Sequence, residues 1–402
     1  MPNNPRVLSI IEEYLGHKTY GKLMRAYFSQ VDACQVDFYW YNEDRELLTR
    51  IINRLLSYNL ANQWVQQQNI DLHVFRVQLG FAYMARRLAI RKLKQANYSV
   101  LHFHTQPLAY LALDLMRSIP TIVSIDRTIA QASKENTAPH WQWTYAPNIF
   151  LDRQVFQQAA GIVCFSEASR RSVINDFQID DRKAQVIYPG VNLQQITMPD
   201  RSTPAQQRCK ILFVGGDFER KGGHDLLAVF LEQFADVAEL HLVTQADIRC
   251  DHPHVQIHRQ INAYTPEWLA LYHQADIFAM PTYSEPFGWV FIEAMAAGLP
   301  IVATDLNAIP EMVTPGETGF LVQPGDRLAL ARSLQTLIDQ PDLRRSMGMK
   351  ARQVAERKFD ANRNFQALET LFHDVAIAPP QSSAIATPSI PPSQLATHSR
   401  TL

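Results

Sequence analysis

The stretch DIFAMPTYSEPFGWVFIEAMAAGLPIVATD, residues 276–305, decides the fold. It contains a short apolar run, a polar loop, an apolar helical pattern that stops at Gly298, and a second apolar run. Glycine just after the last helical residue is a common helix stop. A strand, a helix and a strand in this order predict a βαβ unit with two parallel strands. From Gly288 to Gly298 the only residue that is neither apolar nor glycine is Glu293.

Apolar runs of the same kind recur outward from this unit and alternate with amphipathic helical patterns. They lie at residues 6–11, 99–104, 121–126, 161–166, 184–189, 210–216 and 239–244. Strands that alternate with helices are typical of parallel sheets covered by helices on both faces. The sequence therefore predicts an α/β protein with two doubly wound, Rossmann-like domains.

The chain has 402 residues, of which 47% are hydrophobic, so it can bury more than one core. We predict an N-terminal Rossmann-like domain over residues 1–190 and a linker over the polar, turn-rich residues 191–208. A C-terminal Rossmann-like domain follows over residues 209–358, and a helix over 359–376 is expected to cross back to the first domain. Residues 377–402 are rich in Pro, Ser and Thr and lack aromatic residues, which predicts disorder.

The charge of the chain is nearly balanced, with a formal net charge of -1, so no nucleic-acid partner is expected. A local basic segment, RRLAIRKLK, occupies residues 86–94. Residues 81–94 could form a basic amphipathic helix, either as a solvated helix face or as a peripheral contact with the inner face of a membrane. The four cysteines are far apart in sequence and predict reduced thiols in a cytoplasmic protein. No signal peptide or transmembrane run is recognised.

The single carboxylate in the apolar helix, Glu293, needs hydrogen-bond donors if it is to stay charged in a buried place. A Lys or Arg from elsewhere in the fold is one possible source. A ligand with two adjacent hydroxyls, such as a ribose, is the other. The nearby helix N-terminus offers N–H groups and a positive dipole end, which suit a diphosphate. This segment by itself leaves both alternatives open.

A second segment, FVGGDFERKGG at residues 213–223, favours the ligand. It is a glycine-rich loop after a strand, but it is neither a GxGxxG nor a P-loop motif. Its glycines permit close approach of the backbone to an anion, and Arg220 and Lys221 can neutralise one. Ligands of open α/β sheets bind beyond the carboxyl ends of the strands, where Glu285 and Glu293 also lie. Together these features predict a site for a nucleoside diphosphate that carries a sugar.

The segment EPFGWVFIE, residues 285–293, resembles the E-x7-E motif of retaining family 4 glycosyltransferases. The segments GIVCFSEASRRSVI, VIYPGVN, FVGGDFERKGG and EMVTPGETGFLVQPGD follow the family's order, and the resemblance covers about residues 5–375. It implies the GT-B fold, in which two Rossmann-like domains face a cleft. It also implies a hexosyltransferase-type enzyme that uses a nucleoside-diphosphate sugar, retains configuration, needs no metal or cofactor, and has a glycan or lipid-linked acceptor.

The resemblance implies a role for each matching residue. Glu293 would hold the ribose hydroxyls, Glu285 would lie beside the transferred sugar, and Lys221 would neutralise the diphosphate. In GHKTYG, residues 16–21, the resemblance implies a loop of the N-terminal domain that faces the diphosphate. Backbone groups expected to line the donor belong to Gly16, Phe287, Gly288 and Trp289.

Two positions depart from the family pattern. Gly216 stands where the family usually has Arg, so we take Arg220 as the replacement cation and keep Gly216 as a donor-site position. Asp126 stands where the family often has a His that contacts the donor sugar. Asp126 could accept the proton of the acceptor or only orient a sugar hydroxyl. These departures leave two alternatives to a transferase: a non-catalytic nucleotide-sugar-binding protein, and a sugar-nucleotide epimerase or phosphorylase on the same fold.

Overall fold

The computed structural model describes residues 4–13, 15–43, 46–58, 72–135, 143–199 and 208–377. Its strands are β1 Arg6–Ile11, β2 Gln35–Trp40, β3 Val100–His104, β4 Thr121–Ile125, β5 Gly161–Cys164, β6 Ala184–Val186, β7 Cys209–Val214, β8 Ala238–Val243, β9 Val255–His258, β10 Ile277–Met280, β11 Ile301–Thr304 and β12 Gly319–Val322. The helices before β7 are α1 Leu15–Phe28, α2 Leu47–Leu56, α3 His73–Leu93, α4 Leu113–Ser118, α5 Ile129–Glu135, α6 Ala146–Gln158 and α7 Glu167–Phe177. Those after it are α8 Gly223–Gln233, α9 Pro266–Gln274, α10 Trp289–Ala296, α11 Ile309–Met312, α12 Arg327–Asp339, α13 Pro341–Lys358 and α14 Ala361–Ile377.

The strands form two six-stranded parallel sheets, in the orders β2-β1-β3-β4-β5-β6 and β12-β11-β10-β7-β8-β9. The predicted α/β class with two doubly wound sheets is confirmed. In the second sheet the strand order reverses between β7 and β10, and in the first sheet between β1 and β3. A doubly wound sheet binds ligands at such a switch point, beyond the carboxyl ends of the strands. The loops after these four strands therefore define where a site is expected.

Every predicted strand is present, but β2, β9 and β12 were not predicted. All three lie at the edge of a sheet. An edge strand is covered less completely, so its sequence keeps polar residues and loses the apolar run that marks a central strand. β2, for example, reads QVDFYW, and none of its residues is fully buried.

The last helix, α14, packs on the first sheet rather than on the second. The hydroxyl of Tyr27 on α1 donates to Glu369 of α14 at 2.9 Å. The ring of Phe372 lies 5.4 Å from that of His102 on β3. The chain enters this crossing beside the junction between the halves, where Val191 forms a bridge with Asp360. Disorder was predicted for residues 377–402; Ile377 is the last residue of α14, and residues 378–402 lie outside the described part of the chain.

The basic segment does form a helix, α3, but its apolar side is used inside the protein. Met84 and Leu88 are buried, and Leu88 belongs to the core of the first half. Part of the apolar side of this helix is therefore used in packing, and a peripheral membrane contact through residues 81–94 stays a prediction. No helix in the described ranges is long and apolar enough to cross a bilayer. The four cysteines are unpaired.

Candidate active site

The helix α10 starts and ends at the glycines that the sequence indicated. Gly288 precedes it with a φ of 91°, and a Cβ there would lie 2.6 Å from the ring of Phe291. Only glycine adopts this backbone without strain. No side chain caps the helix at Gly288. The N–H groups of its first turn can therefore serve a ligand, with the positive end of the helix dipole behind them.

Glu293 lies in the middle of α10 and is only 5% exposed. The hydroxyl of Tyr272 on α9 donates to its carboxyl group at 3.2 Å. The buried hydroxyl of Tyr264 also faces the carboxyl group of Glu293. Burial raises the pKa of Glu293 to about 7, although both tyrosines act to lower it. A Lys or Arg partner was one alternative from the sequence, and the groups that act on this carboxyl include neither.

Lys221 and Glu285 form an ion pair between the two switch-point loops of the second sheet. Lys221 follows β7, Glu285 follows β10, and both side chains are mostly buried. The loops meet closely, since a Cβ at Gly222 would lie 2.0 Å from the carbonyl oxygen of Pro281. Burial lowers the pKa of Lys221, and Arg220 and other nearby cations add to the shift. A carboxylate in direct contact favours the charged form of a lysine, so Glu285 opposes this shift.

Arg220 holds the β10–α10 loop. Its guanidinium donates to Asp217 at 2.9 Å and to the backbone carbonyl of Ser284 at 2.7 Å. A Cβ at Gly216 would have no heavy atom within 4 Å. The chain therefore leaves space at Gly216, where the resembling family has Arg. Whether Arg220 replaces that cation toward a ligand stays a prediction.

The start of α1 faces the start of α10 across the two halves. A Cβ at Gly16 would lie 2.7 Å from the indole ring of Trp289, which explains why a glycine stands there. The resemblance implied that GHKTYG is a loop. That prediction is wrong, because the segment lies within the first turns of α1. Two helix N-termini thus meet here, and each carries partial positive charge that favours an anion.

Asp126, at the end of β4, is paired with His17 of α1. The distance from Asp126 Oδ2 to His17 Nε2 is 3.5 Å, and the other carboxylate oxygen accepts the backbone N–H of Arg127 at 2.7 Å. Burial opposes the charge of His17, but Asp126 and Glu12 raise its pKa overall. Burial likewise opposes ionisation of Asp126, but His17 and Arg127 lower its pKa. The sequence singled out Asp126 but missed His17, although GHKTYG contains it.

Glu135 of α5 joins the first half to the loop that carries Glu285. It accepts hydrogen bonds from the Ser284 hydroxyl at 2.6 Å and from the side-chain amide of Asn307 at 2.9 Å. Asn307 also donates to the backbone carbonyl of Glu285 at 3.0 Å. Arg127 of the first half donates to the carboxylate of Glu135 at 3.0 Å. Sequence reasoning found none of these contacts, because they join segments far apart in the chain.

The predicted site residues therefore gather around one cleft. Lys221 contacts Glu285, Trp289 contacts Gly16, and Phe287, buried beside Trp289, supports the start of α10. Glu293 lies one helical turn further and faces the tyrosines of α9. The described residues contain no group of three or more His, Cys, Asp or Glu that could hold a metal ion. The arrangement offers cationic groups for an anion and carboxylates for hydroxyls.

Comparison with known proteins identifies two family models along the chain. The model described as Glycosyltransferase Family 4 matches residues 30–195, and the one described as Glycosyl transferases group 1 matches residues 208–340. A D-inositol 3-phosphate glycosyltransferase from Corynebacterium diphtheriae is 27% identical over 71% of this chain and 73% of its own length.

Two solved structures resemble the whole fold. The sucrose-phosphate synthase from Thermosynechococcus elongatus has a TM-score of 0.70 and 18% sequence identity, over 92% of this chain and 99% of that one. The structure of Anabaena Alr3699/HepE in complex with UDP and glucose has a TM-score of 0.65 and 17% identity, over 91% of this chain and 99% of that one. At these sequence identities the likeness to the two structures shows the fold alone.

Proposed function

Because the chain belongs to the family 4 glycosyltransferases and has the GT-B fold, we propose that it moves a sugar from a nucleoside-diphosphate sugar to an acceptor hydroxyl with retention of configuration. The contact that carries this proposal is the Lys221–Glu285 ion pair, which lies at the switch point of the second sheet. It lies next to two opposed helix N-termini. A cation, two dipole ends and carboxylates in one cleft match the parts of a sugar nucleotide.

The donor would be held by its three chemical parts. Glu293 would accept hydrogen bonds from the two ribose hydroxyls, and the buried hydroxyl of Tyr264 would lie beside them. Lys221 and the first N–H groups of α10 would bind the diphosphate. Glu285 would contact hydroxyls of the sugar, next to Asp126 from the other half. The complex of Alr3699/HepE with UDP and glucose, on a similar fold, supports a sugar nucleotide as the donor.

The chemical step breaks the bond between the anomeric carbon and the phosphate oxygen, and the diphosphate leaves with the electron pair. The acceptor oxygen bonds to the anomeric carbon, and its proton passes to the departing phosphate oxygen. Preorganised positive groups that meet this developing charge usually supply the largest catalytic term. Lys221 and the N-termini of α1 and α10 occupy that role. We propose that they make a metal ion unnecessary.

The state of the carboxylates supports retention. An inverting transfer needs a carboxylate that can act as a base behind the sugar. Glu285 is occupied by Lys221, and the pKa of Asp126 is lowered by His17. A carboxylate with a lowered pKa is a weak base, so Asp126 is better suited to orient a hydroxyl than to accept a proton. We therefore favour departure and attack on the same face of the sugar.

The acceptor is a glycan or a lipid-linked hydroxyl in this proposal. The relatives differ in acceptor, D-inositol 3-phosphate in one and glycogen in another, so the family alone does not select one. The first half, opposite the donor loops, is the side from which the acceptor would approach. Asp126 and His17 lie on that side.

Calorimetric titration of the purified protein with UDP, GDP and ADP, with and without magnesium, tests the proposal. We expect one nucleotide to bind in the micromolar range without the metal. Its sugar nucleotides are then supplied as donors, and the anomeric configuration of the product is read by proton NMR. Failure of all three nucleotides to bind would contradict the donor site, and binding that needs magnesium would contradict metal independence. A product of inverted configuration would overturn retention alone.

A further inference from the structure

The helix α2 packs polar side chains against the protein and exposes apolar ones. Thr49 is fully buried, and Asn53 points its amide oxygen at Gly80 of α3, 2.7 Å from where a Cβ would be. Ile51 and Leu55, one turn apart, are 48% and 68% exposed. A surface helix normally packs its apolar stripe on the core and turns its polar side to water. Here polar side chains face the protein, and part of the apolar stripe faces outward.

The exposed stripe continues beyond the helix. Tyr58, just after its end, is 59% exposed, and Val74 at the start of α3 is 41% exposed. The start of α3 lies beside the end of α2, since Arg76 donates to the backbone carbonyls of Leu56 and Tyr58. Four of the fourteen exposed large hydrophobic side chains in the described ranges thus belong to this one surface. We refer to Ile51, Leu55, Tyr58 and Val74 as the apolar patch.

Positive charge lies beside the apolar patch and at the other end of α2. Arg50 and Arg54 are exposed on α2, on the turns that carry Ile51 and Leu55. At the other end of α2, Glu46 pairs with Arg87 of α3. An open cavity of about 350 Å³ lies there, and its lining residues are Glu46, Arg87, Ile90, Arg91 and Lys94. The surface therefore joins an apolar stripe to a basic end in which cations outnumber carboxylates.

We propose that α2 and the carboxyl-terminal end of α3 form a docking surface for anionic lipid membranes. The apolar patch would enter the boundary between headgroups and acyl chains, with α2 lying in the plane of the membrane. The arginines and Lys94 would contact lipid phosphates. The apolar contact then comes from α2, from Tyr58 and from Val74 at the start of α3, whereas the carboxyl-terminal end of α3 supplies charge.

A membrane suits this surface better than a folded protein partner does. A stable protein interface buries about 800 Å² on each side, whereas the four side chains of the apolar patch expose on the order of 400 Å². A short apolar stripe alone binds a bilayer weakly, and so does a basic cluster alone, but two such signals together give stable attachment. Each Lys or Arg near an anionic surface adds about fivefold to the affinity. The basic residues and the apolar patch together therefore fit an anionic membrane surface.

Co-sedimentation of the full chain with vesicles tests this surface. One set contains phosphatidylcholine alone, and the other contains equal parts of phosphatidylcholine and phosphatidylglycerol. We expect binding to the second set only. The double variant Ile51→Glu/Leu55→Glu should bind at least tenfold more weakly, and Arg50→Gln/Arg54→Gln should lose about fivefold for each arginine and most of the salt dependence.

The matched control is Leu328→Glu/Met349→Glu. It adds the same two charges at apolar side chains that are 71% and 51% exposed in the other half, and it should bind like the unchanged protein. Equal binding by Ile51→Glu/Leu55→Glu and this control would overturn the proposal, as would equal binding to both vesicle types or no binding. A dimer in light scattering that Ile51→Glu/Leu55→Glu dissociates would also overturn it, since the patch would then be a protein interface. No nucleotide is present, so the result is independent of the proposed transfer, and nucleotide titration of the same variants checks that they are folded.

Discussion

Replacing Glu293 by glutamine separates the function of this residue from its effect on stability. The carboxyl group is almost fully buried, and its pKa is raised to about 7 from the ordinary value of 4.5. In the unfolded chain the group ionises near its ordinary value. The folded protein thus holds a proton that the unfolded chain releases, and the stability linked to that proton is present at low pH and lost as the pH rises from about 4.5 to about 7.

The size of the effect follows from the difference between the two pKa values. A difference of about 2.5 units, at about 1.36 kcal/mol per unit, corresponds to about 3 kcal/mol. Glutamine has nearly the same shape, can still accept the hydroxyl of Tyr272, and carries no charge. We expect Glu293→Gln to exceed the unchanged protein in unfolding free energy by about 1 kcal/mol at pH 5 and by about 3 kcal/mol at pH 8. In a unit of this size that is about 6–12 °C in melting temperature at pH 8.

Thermal and urea unfolding at both pH values, without nucleotide, provide the measurement. The chain has two halves, so the comparison is made on the transition that the substitution shifts. The matched control is Glu232→Gln, an exposed carboxylate on α8, which should show no pH-dependent difference. Tyr272→Phe removes a donor from the carboxyl group and should lower stability most at pH 8. A stability gap for Glu293→Gln that is the same at pH 5 and pH 8 would refute the reasoning.

The gain in stability should accompany a loss of nucleotide binding. A carboxylate offers one acceptor oxygen to each of two adjacent ribose hydroxyls, whereas a glutamine amide replaces one of those oxygens by an NH2 group that only donates. A residue that weakens the free protein and serves a ligand is typical of a functional site. If Glu293→Gln and Glu293→Ala both bound nucleotide with unchanged affinity in calorimetry, Glu293 would be only a buried acid and the ribose assignment would be wrong.

Three further substitutions test other parts of the cleft. Lys221→Met should weaken the binding of a nucleoside diphosphate by roughly 10–100-fold, because one charge-assisted hydrogen bond is lost, and the binding of the monophosphate much less. Equal losses of affinity for the two in calorimetry would contradict the diphosphate role. Glu135→Ala should lower kcat while the nucleotide Kd stays within about twofold, because the loop that carries Glu285 loses its anchor to the other half; an unchanged kcat would exclude this anchoring role. His17→Asn removes the group that lowers the pKa of Asp126, so the acidic limb of the kcat/KM profile should move to higher pH, and an unmoved limb would show that Asp126 ionisation does not limit the reaction.

The fold could be predicted largely because its central strands are buried on both faces. A strand such as β10, IFAM, has four buried residues and reads as an apolar run bounded by turn residues. The glycines at 288 and 298 mark the ends of α10 because each adopts a positive φ, of 91° and 73°. The edge strands β2 and β9 lack such a signal. Their assignment depends on neighbours that only the folded sheet supplies.

The site could be predicted where its parts lie close in sequence. Glu285, Trp289 and Glu293 share one loop and helix, and Lys221 follows a glycine-rich strand end, so local chemistry was enough. The partners that set their charge come from distant segments. Tyr272 reaches Glu293 from the preceding helix, and Glu135 reaches the Glu285 loop from the other half. Such pairs depend on the topology and not on spacing, and an isolated Tyr or Glu on a helix gives no sign of them.

The departure at Asp126 makes physical sense once His17 is known. A lone carboxylate next to a leaving diphosphate would repel it, and the repulsion is strong where water is excluded. His17 lies between this carboxylate and the start of α10, since its ring contacts Trp289 at 5.6 Å and its Nε2 faces Asp126. Asp126 and Glu12 in turn keep His17 positively charged against its burial. The carboxylate thus brings its own counter-charge into the cleft. An imidazole is therefore present on this side of the cleft, carried by α1 and not by β4, and Asp126 is compatible with an anionic donor.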